Sequence, residues 1–327
     1  MARAQAIPGL DAVTYQRHSL HAEPMVWVEK NCYVDVWIEL LHALGLDPLP
    51  ALAFTLAIDF EGDQWTFFKP SHLELWQLYG VDVQELNVWR PLIDHAVEHL
   101  TAGKLIGTEA DAYWLPDTAG TDYRAAHTKS TIILNDIDVE ARRLGYFHNA
   151  AYHALDGDDF IQLFRLDAPP DPTFMPLFAE LVRIDRVVRR TEPDLARLSM
   201  RMLETTVQRL PSTNPVAAFS ERLLSEFNAM PAKGLGHYHA WAFANTRQLG
   251  AAFEVGGHFL AWMQRHGMPN LLAAVAAATR LSAACKALIL RGARSATTGK
   301  TQGIVELLRS MAADWQTVTD GLRSLHR

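Results

Sequence analysis

The chain predicts an α+β fold: an N-terminal α/β domain followed by an all-helical bundle. Three observations carry that prediction. Extended runs with period-two alternation fall before residue 166. Long segments of helical period occupy residues 173 to 327. Between them lies Asp167-Ala168-Pro169-Pro170-Asp171-Pro172, a proline-rich stretch that reads as a linker. The expected domains are therefore residues 1–166 and 173–327. No fixed-period repeat is evident, which argues against a solenoid.

In chain order, residues 1–30 read as an irregular lead-in broken by Pro8, Gly9 and Pro24. A helix follows from Cys32 to Leu44. Trp37, Leu40, Leu41 and Leu44 recur at helical spacing, Asn31 suits the N-cap and Gly45 the C′ position. Ala51 to Phe60 alternates like a strand, and Gln64 to Phe68 is a second extended run after the Glu61-Gly62-Asp63 turn. Leu73 to Tyr79 reads as a short helix, Val81 to Leu86 as a strand, and Pro91 to Leu100 as a helix with proline in its first turn. Leu105 to Ala112 is a strand. A polar loop, Tyr113 to Ala126, leads to a β-branched strand from His127 to Leu134, and Leu144 to Phe147 pairs back on it before His148-Asn149. Helices are then expected at Phe174–Arg190, Asp194–Leu210, Pro215–Met230, Tyr238–His266, Asn270–Arg291 and Gly303–Leu325.

Composition narrows the function classes. Apolar residues make up 49% of 327, enough for a full core without metals or staples. Lys plus Arg total 30 against 37 Asp plus Glu, a net charge of -7, which argues against a nucleic-acid binder. Two cysteines, Cys32 and Cys285, do not make a disulfide framework and fit a reducing compartment. The N-terminus has no apolar h-region, and apolar stretches such as Leu271 to Ala278 fall short of a membrane span. The expectation is a cytoplasmic protein with no membrane association.

Cys32 is the candidate with chemical content. A cysteine attacks as a thiolate, and a helix N-terminus favours that anion through its free N–H groups and macrodipole. A histidine must take the thiol proton, and a third polar group must hold the imidazole in the useful tautomer. The sequence offers the papain-like order: Cys32 opening a helix, His127 opening a strand, Asn149 closing the next. Side chains alternate along a strand, so only one of His148 and Asn149 can face His127, and Asn149 is the preferred orienter. Asn31 and Gln64 are candidate side-chain donors to an oxyanion hole, beside the backbone N–H of Cys32. The competing reading makes Cys32 a small core residue of an amphipathic helix. Cys285, mid-helix among small residues, reads as packing.

Other features divide between functional and structural readings. Asp111, Tyr113 and Trp114, just before His127, either wall a site or form an ordinary loop. Arg247 and Gln248 share a helix with Glu254 two turns on; they line a substrate pocket or build a structural network. Asp59, Glu61 and Asp63 mark a solvated turn. His95 and His99 lie four apart without a zincin pattern, so no metal site is expected. Gly234-Leu235-Gly236 and Gly299-Lys300-Thr301 lack the strand and glycine context of phosphate loops.

Asn31-Cys32-Tyr33 through Leu44, Tyr113-Trp114-Leu115-Pro116, His127 and Asn149 together resemble the cysteine acyltransferase of butirosin biosynthesis and the papain-like double-glycine leader peptidases, over roughly residues 25–160. The whole chain resembles a bacterial family often associated with amino-acid:carrier-protein ligases, at Asp59-Phe60-Glu61-Gly62-Asp63-Gln64-Trp65, Gly120-Thr121-Asp122-Tyr123 and Arg247-Gln248-Leu249-Gly250. The resemblance implies an acyltransferase. Cys32 would take an aminoacyl or acyl group from the phosphopantetheine thioester of a small carrier protein, with His127 as base, and pass it to an amine or hydroxyl acceptor. It implies no directly bound cofactor. Asn149 stands where the relatives often carry Asp. The alternatives are a cysteine peptidase or amidase on the same residues, and a non-catalytic interaction protein.

Overall fold

The computed structural model describes residues 3–169, 173, 175–268 and 270–325, so Pro170–Pro172 of the expected linker lie outside the described residues. The fold is α+β, as expected, but its two compact units interleave along the chain. The first holds residues 1–21, 32–47 and 72–189; the second holds 22–31, 48–71 and 190–327. These compact units do not follow the expected division at 166–173. The chain re-enters the second unit twice before residue 72, and residues 179–183 still belong to the first.

The first unit contains β1 (Ala4–Gln5), α1 (Cys32–Ala43), α2 (His72–Tyr79), β4 (Asp82–Glu85), α3 (Leu92–Thr101), β5 (Leu105–Asp111), β6 (Lys129–Asp138), β7 (Arg143–His148), β8 (Ala151–Asp156), α4 (Gly157–Leu163) and β9 (Ala179–Arg183). The second contains a hairpin of β2 (Phe60–Glu61) and β3 (Gln64–Trp65). Its helices are α5 (Glu192–Gln208), α6 (Pro215–Glu226), α7 (Met230–Lys233), α8 (Leu235–Ala242), α9 (Gln248–Arg265), α10 (Leu272–Thr298) and α11 (Gln302–Ser324).

The first unit is built on a seven-stranded sheet in the order β4-β9-β5-β6-β7-β8, with β1 added beside the far end of β6. Every pairing is antiparallel. Helix α1 lies against β6, β7 and β8. It is buried all round: Val34, Val36, Ile38, Leu40 and Leu41 are enclosed, and so are Asp35 and Glu39. Those two acids are answered by buried His21, whose Nε2 meets Asp35 Oδ1 at 2.9 Å and whose Nδ1 meets Glu39. Tyr15 donates to the other Glu39 oxygen at 2.6 Å. Gly45, at φ +68°, ends the helix as expected: its N–H and that of Leu46 return to the carbonyls of His42 and Leu41.

Two expected elements are different. The apolar run expected as a strand at Ala51–Phe60 is a 3-10 helix over Leu49–Ala57. Pro48 and Pro50 set helical φ at its start, and its near-continuous apolar character suits burial on several sides better than a half-exposed strand. The helix expected at Phe174–Arg190 contains β9 instead, which pairs with both β4 and β5; Phe174 itself lies outside the described residues. A central strand covered on both faces loses its alternation, and that erases the period that separates it from a helix.

In the second unit, α10 packs against both α9 and α11. Small residues allow close approach: a Cβ on Gly257 would lie 3.3 Å from the Ala278 methyl, and one on Gly321 3.3 Å from that of Ala274. The helix expected from Tyr238 to His266 is interrupted by a π-helical turn, Phe243–Arg247. Among the described residues, Leu272–Thr298 is long and apolar enough to cross a membrane by length and composition, longer than the sequence reading anticipated. That is weak evidence for a span, since the core helix of a bundle passes the same test, and Ala277, Ala278, Leu281, Cys285 and Leu288 are buried within the unit.

Candidate active site

Cys32 is the first residue of α1 and is partly buried. Its thiol points to Thr131 Oγ1 on β6, 3.9 Å away. The sheet register says what shares that face. Thr131 stands opposite Glu109, Lys129 opposite Asp111, and Ile133 opposite Gly107, so these side chains all project on one side of β5 and β6. Gly107 also stands opposite Glu180 of β9, which places Glu180 on the same face.

His127 lies just before β6, and its Nδ1 meets Asp111 Oδ2 at 2.6 Å. The imidazole stacks on Tyr113, with ring centroids 4.3 Å apart and planes within 11°. Asp111 also accepts from the Tyr113 backbone N–H at 3.1 Å, which fixes the carboxylate where the strand ends. Two residues of strand separate Asp111 from the Glu109–Thr131 row, about 7 Å. The thiol and the Asp111–His127 pair thus share one sheet face. With Nδ1 committed to the carboxylate, Nε2 is the nitrogen left for proton transfer.

Asn149 is not the orienter. It sits at φ +45° in the short connection between β7 and β8, a left-handed conformation that asparagine tolerates. Its place in the sequence reflects the turn. His148 is not the orienter either. It stands opposite Ile132, so it projects from the face away from Cys32. There its Nε2 meets Ser130 Oγ at 2.6 Å and its Nδ1 meets Asp117 Oδ2 at 2.5 Å. Tyr146 donates to the other Asp117 oxygen. The order Ser130–His148–Asp117 is that of a hydrolase triad, but all three are buried, and the array ties the 113–126 loop to the sheet. Burial pushes the Asp117 carboxyl up, but the bonds from His148 and Tyr146 and the charges of His148 and His153 outweigh it and hold it below its ordinary value.

Three residues that the sequence reading passed over join the Cys32 face. The Tyr33 hydroxyl lies 3.1 and 3.0 Å from the two Glu180 oxygens and 2.9 Å from His72 Nε2, and His72 also meets Glu180 at 3.2 Å. Burial and the Glu180 charge push the Tyr33 phenol far up, so it stays a donor. Tyr33 had a visible signal as the neighbour of Cys32. Glu180 was hidden because its segment reads as helix, which gives the wrong side-chain parity.

The remaining candidates separate by unit. Trp114 lies under the Arg124 guanidinium, 4.4 Å from its ring centroid, and Arg124 reaches Asp159 at 2.5 Å. Asn31 and Gln64 belong to the second unit, not the one that carries Cys32. Asn31 donates a side-chain N–H to the Phe68 carbonyl at 3.0 Å, and the Gln64 side chain is exposed on β3. Arg247 bonds the Glu29 carbonyl at 3.0 Å and lies 4.6 Å over Phe243; Gln248 is buried at the start of α9. Glu254 accepts from the backbone N–H groups of Val26 at 2.6 Å and Trp27 at 3.0 Å. Arg247 and Glu254 thus form a structural network that holds the 22–31 segment. Cys285 is fully buried, and burial pushes its thiol far up, which leaves it inert. Among the described residues no group of three His, Cys, Asp or Glu is arranged to hold a metal ion.

No curated protein matches the chain. Two family models do: the DUF1839 N-terminal domain over residues 16–184, which spans the thiol, His127, Asp111 and all but the first strand of the sheet, and the DUF1839 C-terminal domain over residues 192–324, which spans the helices. The chain belongs to the DUF1839 family.

Proposed function

We propose that the protein is a cysteine-dependent acyltransferase in which Cys32 is the nucleophile, His127 the general base and acid, and Asp111 the group that orients His127. The observation that carries this reading is the placement of the Asp111–His127 pair, bonded at 2.6 Å, on the sheet face to which the Cys32 thiol points. His127 Nε2 takes the thiol proton. The thiolate adds to an acyl carbonyl, and its oxyanion is met by backbone N–H groups of the first turn of α1, where the macrodipole adds to the field. Collapse expels the leaving thiol, which recovers the proton from His127 and leaves the acyl group on Cys32. An acceptor amine or hydroxyl then gives its proton to His127 and takes the acyl group.

The donor in this proposal is an aminoacyl or acyl thioester on the phosphopantetheine arm of a small carrier protein. That assignment rests on the resemblance of the Cys32 and His127 segments to the butirosin acyltransferase. Hydrolysis is the second reading, and one observation favours it. The His127 side chain is 69% exposed, so water reaches the base directly.

The experiment is a single-turnover trap. The protein is mixed with an aminoacyl-pantetheine thioester and followed by intact mass and peptide mapping. The expected result is an acyl adduct on Cys32 that disappears on adding an amine, with an amide as product. Discharge to the free acid at the same rate with and without amine would favour hydrolysis. An adduct that persists in Cys32→Ala, or none in the native protein, would overturn the mechanism.

A further inference from the structure

We propose an anion site in the second unit, a pocket for a small, doubly charged phosphate ester with an apolar body. It lies where α10 ends, the chain turns at Gly299 and α11 begins. The cavity measures about 730 Å³, and its wall is drawn from residues 290–304. All of those residues are described, and all belong to the second unit.

Charge carries the inference. Arg291, Arg294 and Lys300 line the cavity, and no Asp or Glu does. Among the described residues, none of these three cationic groups has a hydrogen-bond or ion-pair partner. That is a departure in a chain with 37 acids against 30 Lys and Arg. Elsewhere on the same two helices arginines are answered: Arg280 of α10 meets Asp314, and Arg309 of α11 meets Glu306. Arg291 and Arg294 stand three residues apart on one face of α10, where like charges repel. Both precede the last turn of that helix, so its macrodipole does little to offset the repulsion. A bound anion does offset it.

The turn holds these charges around one concavity. Gly299, at φ +70°, returns its N–H to the Ser295 carbonyl at 2.8 Å. The buried Ser295 hydroxyl donates to the Lys300 carbonyl at 2.6 Å. Gln302 and Gly303 line the same wall, and Thr301 gives the start of α11 no side-chain cap. An anion held by the three cations therefore also meets backbone N–H groups. Three cations without an acid select a dianion over a monocarboxylate. The volume exceeds one phosphate group, and Leu290 and Ile304 in the wall receive an apolar body. A concavity of this size suits a small molecule; a protein partner needs about 800 Å² of surface on each side.

The test is isothermal titration calorimetry of the full chain with phenyl phosphate, beside orthophosphate and benzoate. Ionic strength is fixed, at about pH 8, where the phosphate is a dianion. The expected result is one saturable phenyl phosphate site per chain. Benzoate should bind at least tenfold more weakly, and orthophosphate, which lacks the body, more weakly too. Arg291→Gln, Arg294→Gln and Lys300→Gln should each weaken binding about tenfold, the loss of one charge-assisted hydrogen bond. Gln302→Glu should weaken it while keeping or raising the melting temperature, since an acid suits the first turn of a helix. Arg280→Gln, on α10 outside the cavity, and Cys32→Ala should bind as the native chain does, so the outcome is independent of the proposed acyl chemistry. Unsaturable heats, equal affinity for benzoate, unchanged affinity in folded Arg291→Gln or Lys300→Gln, or an equal loss in Arg280→Gln would overturn the proposal.

Discussion

Replacing Asp111 by Asn tests the assignment of the third catalytic partner. The carboxylate holds the His127 imidazole through Nδ1 at 2.6 Å, and in the proposed mechanism its charge would stabilise the imidazolium formed when the thiol gives up its proton. Charge centres about 4 Å apart attract by about 1 kcal/mol in bulk water and about 4 kcal/mol at a partly shielded surface site. The His127 side chain is 69% exposed and that of Asp111 is 37% exposed, which puts the pair toward the watery end of that range. A loss of about 1.4 to 2.8 kcal/mol corresponds to roughly 10- to 100-fold in rate. The assay needs no substrate: alkylation of Cys32 by iodoacetamide near neutral pH, read by peptide mass so that Cys285 is scored separately. Asp111→Asn should alkylate about tenfold or more slowly, His127→Ala at least as slowly, and Asn149→Ala within about twofold of the native chain. Native-like alkylation in Asp111→Asn, or strong slowing in Asn149→Ala, would refute the reasoning.

Other outcomes follow from packing and titration. His21→Ala should destabilise the first unit by about 3–5 kcal/mol, because it leaves Asp35 and Glu39 buried without their partner; urea unfolding measures it. Gly250→Ala should cost about 1–3 kcal/mol in the second unit, since its Cβ would sit 2.5 Å from Trp27 Cζ2, and a melting temperature equal to the native one would contradict that contact. Burial lowers the pKa of His153, with the Asp117 charge opposing, so the unfolded chain binds more protons near its ordinary value of about 6.5. That contribution to stability is present above about pH 6.5 and is lost as the pH falls below it; His153→Phe should flatten the fall in melting temperature between about pH 7 and pH 5, and an unchanged slope would contradict the assignment. Cys285→Ala should leave the alkylation rate of Cys32 unchanged.

Much of this architecture is legible in the sequence because it is local. The helix from Cys32 to Ala43 shows its period, and its end is written in Gly45. The β6–β7 hairpin and the helices from α5 onward follow from alternation, caps and turn residues. What is illegible is long-range. The Leu49–Ala57 3-10 helix is apolar on most sides because neighbours enclose it, and the five residues of β9 mix apolar side chains with the buried Glu180, so neither shows the period of its class. The interleaving of the two units is likewise invisible, since residues 22–31 and 48–71 carry no composition shift that marks them as part of a different body from α1. Glu180 shows the cost: reading its segment as helix removes a buried acid from the face it shares with Tyr33 and His72.

The proposed third catalytic partner illustrates how register decides which residues can meet. Papain-like order looks for the orienting residue on the strand after the histidine, and Asn149 stands at that point in the chain. In the folded sheet that position is spent on a tight turn, and the residue just before it, His148, faces the other way. The strand before the histidine, β5, supplies the carboxylate instead, because Asp111 pairs with Lys129 two residues beyond His127. In the proposed mechanism an acid in this place fixes the tautomer as Asn can, and it also sets a negative charge beside the ring that would take the Cys32 proton.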